Sequence, residues 1–564
     1  MNGGRKRLAI VGGGSSGLVT LKLALDALPE WKIVCFEKSD RITGCWGRPY
    51  PGFVSTSTKY TTQFASFPLF DATVNPDGGV SREEFFREDE YGQYLERFAE
   101  KFGLREHIEL NTTVDLVQQN VSGAGWELMI SPGNRVEYFD AVVLCTGLAA
   151  QPKRIESNVP TLSVSELNSP LGLNHVRCKR VVVIGGGESA VDYAVRLSQA
   201  ELGNRVFLSL YTGIRVSPRY HPIRGLPSDF LRNRLMLSIH ADLRNWIGQR
   251  FVESRIKYQE RFERWFPPKQ KLAVFSDCRQ QSSDEQQVAQ LRKHWAYVLT
   301  KAAKDELFNM FHNKSDEFLD AVARGAIKIV GQPLDQDFSS CKSFESDDAI
   351  EVGADLLVPA IGYRSTLGTI SAGNICVRDF YMGCVHIKYS NLFLIGFARP
   401  IIGNIPTISE LQARYACGLI SGQVNRESEI VKLHQINAEQ NRTQFANLNL
   451  DAIYPVEMFP YSDQLARLMG AYPSVRSIGS VLKWCREQLT PATTLHYFAH
   501  DTEARKCFTK SQVYMPLLLI WLLLMLKPAD WVYRFAKHLC TAFKQGNVVF
   551  CGLFSLDTTI WFPA

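Results

Sequence analysis

The sequence predicts an α/β protein with two Rossmann-like dinucleotide-binding domains, a helical insertion and an apolar helical tail. Three observations predict it. The apolar run Leu8-Ala9-Ile10-Val11 feeds a glycine-rich turn, Gly12 to Gly17, and a helical pattern begins at Leu18. The same succession recurs in mid-chain: Arg180 to Ile184, then Gly185-Gly186-Gly187-Glu188-Ser189-Ala190, then a helix over Val191 to Ala200. Short apolar runs return after each turn, and repeated strand–turn–helix units imply parallel sheets with helices on both faces. Two such units so far apart are a domain duplication, not a solenoid repeat.

The elements follow in order. Lys32 to Phe36 is a second strand ending at Glu37, and Ser39 to Thr62 is a polar loop rich in Gly, Pro, Ser and Thr. A helix is expected over Arg82 to Phe102, a hairpin over Val114 to Ile130, and a buried strand at Val142-Val143-Leu144. After the second unit, Val206 to Tyr211 reads as a strand. Pro227 to Arg324 is charged and helix-like, interrupted by the polar Gln280–Gln287 stretch. Strand character returns at Ile327–Val330, Leu356–Val358 and Leu392–Ile395. The expected division is 1–165 and 331–445 for the first domain, 166–330 for the second with its insertion at 226–324, and 446–564 for a C-terminal region.

At 564 residues the chain is too long for one core. A net charge of +6 over that length is mild and does not favour nucleic acid. The 13 cysteines are scattered singly with no metal-type spacing, which reads as thiols in a reducing compartment with no bound metal. Met1 to Arg7 is short and basic with no signal-peptide core, so a cytosolic start is expected. Val513 to Leu526 is uncharged. Because spanning takes about 20 apolar residues, this run suits a core or a membrane interface. Trp531, Phe535, Leu539 and Phe543 recur at four-residue spacing with Arg534, Lys537, His538 and Lys544 between them, as in a basic helix lying on a bilayer. Packing of the tail on the protein is the other reading.

In the first turn Gly12 makes the bend, Gly14 lets backbone approach a pyrophosphate, and Gly17 lets helix and strand pack closely. The phosphates would sit on the helix N-terminus beside Ser16. Glu37, about 20 residues beyond Gly17, is placed to accept hydrogen bonds from ribose hydroxyls. The second turn is Gly185-x-Gly187-x-x-Ala190. No carboxylate ends its next strand, which runs into Thr212, while Arg215 and Arg219 follow. That pattern suits a 2′-phosphate and so NADPH.

With both turns in place the chain resembles a class B flavin-dependent monooxygenase, closest to the flavin-containing monooxygenases, over roughly residues 6–470. Thr43-Gly44-Cys45-Trp46 is similar to the family's Gly-Gly-x-Trp. Thr56-Ser57-Thr58-Lys59 and Gln63 to Pro68 resemble the segment that passes the flavin ring. Val143 to Gly147 and Val358 to Tyr363 resemble the two inter-domain linkers, and Glu410 to Arg414 the segment closing the FAD site. The resemblance implies an FAD site using Gly12, Gly14, Ser16, Gly17, Glu37, Lys38, Gly44, Trp46, Thr56, Thr62, Gln63, Thr146, Gly147, Gly362, Tyr363, Gly396 and Gln412. It implies an NADPH site using Gly185, Gly187, Glu188, Ser189, Ala190, Thr212 and Arg215. Thr56 is the catalytic candidate, with Lys59 and Gln63 behind it.

Two departures accompany the match. Val159 to Lys179 lacks the family's Phe-x-Gly-x-x-x-His-x-x-x-(Phe/Tyr) fingerprint and its Baeyer–Villiger counterpart, and Thr56 stands where the family usually has Asn. The implied reaction is NADPH-dependent oxygenation, through a flavin C4a-hydroperoxide, of an amine nitrogen or sulfide of a small molecule, with O₂ as co-substrate. N-hydroxylation, carbonyl oxygenation, NADPH oxidation without oxygen transfer and a nucleotide-binding scaffold are the alternatives. A disulfide reductase would need a close cysteine pair, and Cys35 and Cys45 do not form one in sequence. The expected location is the cytosolic face of a membrane such as the endoplasmic reticulum, or else the cytoplasm. Oligomeric state is not legible.

Overall fold

Leu8, Ala9 and Ile10 have no exposure at all, and an apolar run buried on both faces belongs at the centre of a parallel sheet. The computed structural model describes residues 5–47, 49–50, 52–77, 79–121, 123–169, 172–221, 225–258, 261, 264, 283–498 and 501–544. In it the strand Arg7–Val11 lies between Lys32–Phe36 and Ala141–Leu144, with Ala9 opposite Val34 on one side and Val142 on the other. Ile108–Glu109 extends this sheet beyond Lys32–Phe36. Leu392–Leu394 joins it in parallel beside Ala141–Leu144, and the short strands Val385–His386 and Phe380–Tyr381 make an antiparallel edge. One face is covered by the helices Ser15–Ala27 and Ile405–Ser421, whose Ser16 and Ser409 hydroxyls lie 2.9 Å apart. The other face is covered by an antiparallel layer of Thr113–Gln119, Trp126–Ser131 and Arg135–Phe139, which contains the expected hairpin and adds a third strand.

The second sheet has six strands, in the order Ala349–Glu351, Ser340–Ser343, Ile327–Pro333, Arg205–Ser209, Arg180–Ile184, Leu356–Pro359. Leu356–Pro359 pairs in parallel with the strand that opens the unit, Val183 opposite Val358. The return to the first sheet therefore comes after Pro359, not at residue 330 as the sequence suggested. The chain crosses between the sheets twice, and the crossings pair with each other: Gln151–Pro152 runs antiparallel to Tyr363–Arg364. The stretch lacking the family fingerprint lies along the sheet edge, where Leu162 donates to the Leu357 carbonyl and Val164, Leu167 and Val176 enter the second core.

Other expectations are corrected. The helix expected over Arg82–Phe102 is confined to Glu90–Lys101, because Arg82 and Glu88 take left-handed backbone (φ +55° and +47°) and Phe85–Arg87 is a strand. Its partner is Val54–Thr58, within the segment read as loop, followed by a helical turn over Lys59–Thr62. The insertion is helical over Ala241–Lys257 and Ser283–Lys301, and the polar Gln280–Gln287 stretch begins outside the described residues. Asn313–Lys314 then interrupts it as a two-residue strand parallel to Val216–Ser217, before a short helix over Phe318–Ala323. The tail is one helix, Leu517–Lys544, running through Pro528. Among the described residues no helix is long and apolar enough to cross a membrane.

Three histidines are held neutral by burial. His496 lies between Phe459 and Phe508 with no partner on either ring nitrogen, and burial, with Arg234 nearby, pushes its pKa far down. Burial also pulls His312 and His386 down to about 4. Unfolded imidazoles titrate near about 6.5, so below that pH protons favour the unfolded chain. The stabilisation is complete above about pH 6.5 and is lost towards pH 4, at up to about 1.4 kcal/mol per pH unit for each ring. Urea midpoints should fall between neutral and mildly acidic buffer; midpoints that hold steady would contradict this account.

Candidate active site

The first glycine turn is built by contacts that leave no room for side chains. A Cβ on Gly12, whose φ is +109°, would sit 2.5 Å from the Cys145 carbonyl oxygen, and one on Gly17 would sit 1.8 Å from the Gly12 carbonyl oxygen. Gly14 caps the helix Ser15–Ala27 without any side-chain bond, so its first N–H groups point outward for an anion. Glu37 is buried at the end of its strand. Its carboxylate accepts from the Gly13 N–H at 2.6 Å, the Ser39 N–H at 2.9 Å and the Ser39 hydroxyl, with lone pairs to spare for a ribose. The Thr146 hydroxyl is buried beside this turn without a partner. An uncapped helix end, a buried acid and an orphan hydroxyl around a cradle that admits no Cβ fit an FAD dinucleotide.

The other expected FAD residues separate into groups. Gly44 and Trp46 form a helical turn, with Trp46 edge-on to Tyr91 and Phe53, and Lys38 is exposed. Gly147 follows Thr146 out of its strand, and Gly362 with Tyr363 opens the second crossing. The Gly396 N–H donates to Gln412 at 3.3 Å, and the Gln412 amide donates to the Gly383 carbonyl and the Tyr461 hydroxyl. Gln63 spends its amide on its own turn: it donates to Tyr60 and Phe70 carbonyls and accepts from the Leu69 and Phe70 N–H groups. Its side-chain amide is fully used there. The Thr62 hydroxyl donates to the Thr58 carbonyl, and Lys59 pairs with Glu90 at 3.0 Å.

At the second turn Gly187 caps the helix Glu188–Leu197, again without a side-chain bond, and Ala190 is fully buried where helix meets strand. Ser189 and Thr212 are half-buried. Arg215 is buried: it donates to the Asp305 carbonyl, while its Nε and Nη1 lack partners. These orphan donors on the NADPH side fit an anionic ligand. Arg219 does something else. It donates to the Ser55 and Val54 carbonyls at 3.0 and 2.7 Å and pairs with Asp316, so its fork is spent on the first unit and is not free for a 2′-phosphate.

Arg219 thus reaches the strand that carries Thr56. The Thr56 carbonyl accepts from Lys314 Nζ at 2.5 Å, and its hydroxyl faces the Glu188 carboxylate of the second turn. Burial raises the Glu188 pKa, against the pull of Lys314, Arg399 and Arg219. Lys314 also pairs with Asp229 at 2.6 Å, and Asp229 accepts from the Thr58 N–H at 3.0 Å and the Thr61 hydroxyl at 3.4 Å. Asn404, the cap of the helix Ile405–Ser421, donates to the Thr61 carbonyl. Further along that helix, fully buried Glu410 accepts from the Ala65 and Ser66 N–H groups and the Ser66 hydroxyl. Sequence reasoning missed Lys314 and Asp229, which have no motif around them. Glu410 lay in the matched closing segment, but its role as an anchor was not legible.

This geometry agrees with comparisons to known proteins. Residues 5–272 match the flavin-binding monooxygenase-like family model. Mouse dimethylaniline monooxygenase (N-oxide-forming) 2 is 25% identical over 503 residues, covering 84% of each chain. The chain resembles the flavin-containing monooxygenases. Among solved structures, the chain is similar to S-allyl-L-cysteine S-oxygenase from Allium sativum (TM-score 0.52, 16% identity, 90% of this chain and 99% of that one). It is also similar to closed cyclohexanone monooxygenase (TM-score 0.55, 15% identity, 85% and 99%). The chain is an FAD- and NADPH-dependent monooxygenase. The ten cysteines whose side chains are described are free thiols, with Cys35 buried and Cys45 exposed.

Proposed function

We propose that this monooxygenase places one oxygen atom of O₂ on a soft nucleophile, an amine nitrogen or a sulfide sulfur, of a small molecule. The observation that carries this reading is the Thr56 strand, which belongs to the FAD side and is gripped by residues of the NADPH side. Bound FAD supplies the redox and oxygen chemistry; the chain binds, orients and excludes water. Gly12 to Gly17 and Gly185 to Ala190 would hold the two pyrophosphates, and Glu37 would hold a ribose. Thr56 would offer the flavin one hydroxyl, which faces Glu188, where an Asn amide would both donate and accept. The names of the mouse and Allium proteins, one N-oxide-forming and one an S-oxygenase, support a heteroatom as the acceptor.

The test is product yield per NADPH for the FAD-loaded enzyme with N,N-dimethylaniline, methyl phenyl sulfide and cyclohexanone. N-oxide or sulfoxide is the expected product. Lactone alone would replace the reading with carbonyl oxygenation, and peroxide in full yield from all three would replace it with an NADPH oxidase.

We also infer that the tail lies on the cytosolic surface of a membrane. Its helix is held by polar bonds to the start of Ala241–Lys257: buried Asp530 accepts from the His240 N–H, while Tyr533 and Lys537 donate to Asp242. Leu523 packs on Leu235, Ile239 and Met515. Leu517, Leu518, Trp521, Leu522 and Met525 stay largely exposed, Leu517 at 84%. An exposed apolar stripe of this kind suits the headgroup boundary. Replacing Leu518, Trp521 and Leu522 by serine should abolish flotation with phosphatidylserine-containing vesicles and leave the fold intact. Equal flotation of both forms would reject the anchor.

A further inference from the structure

The two-residue strand Asn313–Lys314 touches both halves of the active site. In an extended strand consecutive side chains point to opposite faces, so neighbours can serve different partners. Asn313 donates to the Gly186 carbonyl, inside the second glycine turn, at 2.8 Å. Lys314, the next residue, donates to the Thr56 carbonyl at 2.5 Å. The ladder with Val216–Ser217 fixes the strand between them. One peptide unit therefore separates a contact with the NADPH turn from a contact with the flavin-edge strand.

The electrostatics make the second contact strict. The side chains of Lys314 and Asp229 are 6% and 8% exposed, and a buried ammonium is tolerated only when paired and hydrogen-bonded. Asp229 supplies the counter-charge with one oxygen. With the other it accepts from Thr58 and Thr61, so the same ion pair holds the Thr56 segment on both sides. Lys314, Asp229 and Asn313 all come from the stretch of chain between the first and last strands of the second sheet, whereas Thr56 to Thr61 belong to the first unit.

We propose that Lys314, with Asp229 as its counter-ion, is a positioning residue that ties the NADPH turn to the flavin edge and so sets the share of electrons delivered to substrate. The proposal rests on the monooxygenase reading above. In the coupled reaction NADPH, H⁺, O₂ and substrate give NADP⁺, water and oxygenated substrate. In the uncoupled one NADPH, H⁺ and O₂ give NADP⁺ and H₂O₂. A loosened Thr56 segment moves flux from the first to the second without preventing FAD binding.

Amide hydrogen exchange and peroxide yield are measured together on the FAD-loaded Lys314→Met, Lys314→Arg and Asp229→Asn proteins. Exchange of residues 54–58 is expected to rise about ten-fold in Lys314→Met while the amides of Ser15–Ala27 keep their wild-type rates. Peroxide per NADPH should rise several-fold, with Lys314→Arg recovering part of the loss. If Lys314→Met does not fold, Lys314→Met/Asp229→Asn removes the stranded charge and is tested in its place. Wild-type exchange in the folded variant overturns the proposal, and so does faster exchange with wild-type peroxide yield. Should wild-type protein itself make only peroxide with every substrate, the monooxygenase reading fails instead, and the exchange rates still decide whether the clamp exists.

Discussion

Substituting Gly17 by alanine is expected to yield protein purified without FAD. The new Cβ would lie 1.8 Å from the Gly12 carbonyl oxygen, a backbone atom, and the backbone fixes where the Cβ stands, so no rotation separates them. Relief requires the helix Ser15–Ala27 to lift off the strand Arg7–Val11, which opens the core around Leu18 and Leu21 and spoils the phosphate turn. Overpacking of this kind costs on the order of 3 kcal/mol or more. The flavin-to-protein absorbance ratio after purification measures the loss. Gly187→Ala is the matched control, because a Cβ there meets nothing within 4 Å. That variant should keep its FAD and its melting temperature and show its change in the KM for NADPH. A Gly17→Ala protein with a full complement of FAD would show that the close approach is not needed.

The second large effect is expected at Glu410. Burial raises its pKa, and its bonds to Ser66 and Ala65 oppose that rise. Glu410→Ala strands two backbone N–H groups and a hydroxyl, each worth about 1–3 kcal/mol when left buried and unmade. The sum, roughly 3–9 kcal/mol, is a large share of the 5–15 kcal/mol by which a domain is usually stable. Glu410→Gln keeps one acceptor and turns an NH₂ group towards an N–H, so it should fall between. Urea denaturation of the three proteins ranks them, and a loss below about 1 kcal/mol in Glu410→Ala would mean the segment is held by other contacts.

Legibility followed the length of the signal. Leu8 to Gly17 and Arg180 to Ala190 could be read because an apolar strand, a glycine turn and a helix must succeed each other in sequence for the site to exist. Glu37 came with them, since its spacing from Gly17 is part of the same unit. The Thr56 strand was read as loop: Val54–Thr58 alternates only weakly, and its partner Phe85–Arg87 was hidden in a run with helical composition. Arg219 and Gln63 were polar residues near a motif. Nothing local shows that one reaches across to the first unit and that the other closes its own turn. Lys314 and Asp229 lie far apart in sequence, and a two-residue strand has no periodicity to read. Pro227–Arg324 read as helix-like with one polar interruption at Gln280–Gln287, so the ladder at Asn313 was masked by its surroundings.

The pairing of Leu392–Leu394 with Ala141–Leu144 also bears on how the protein is made. The outer sheet lacks that strand until synthesis has passed residue 394, whereas every strand of the inner sheet has been translated by Pro359. Domains generally fold as units while they emerge from the ribosome. The inner unit can therefore complete itself first, leaving the nascent chain with a finished nicotinamide module and an open sheet edge beside Ala141–Leu144. That edge is the exposed, aggregation-prone surface of the half-made protein. FAD, whose turn is Gly12 to Gly17, depends on a strand made 375 residues after that turn.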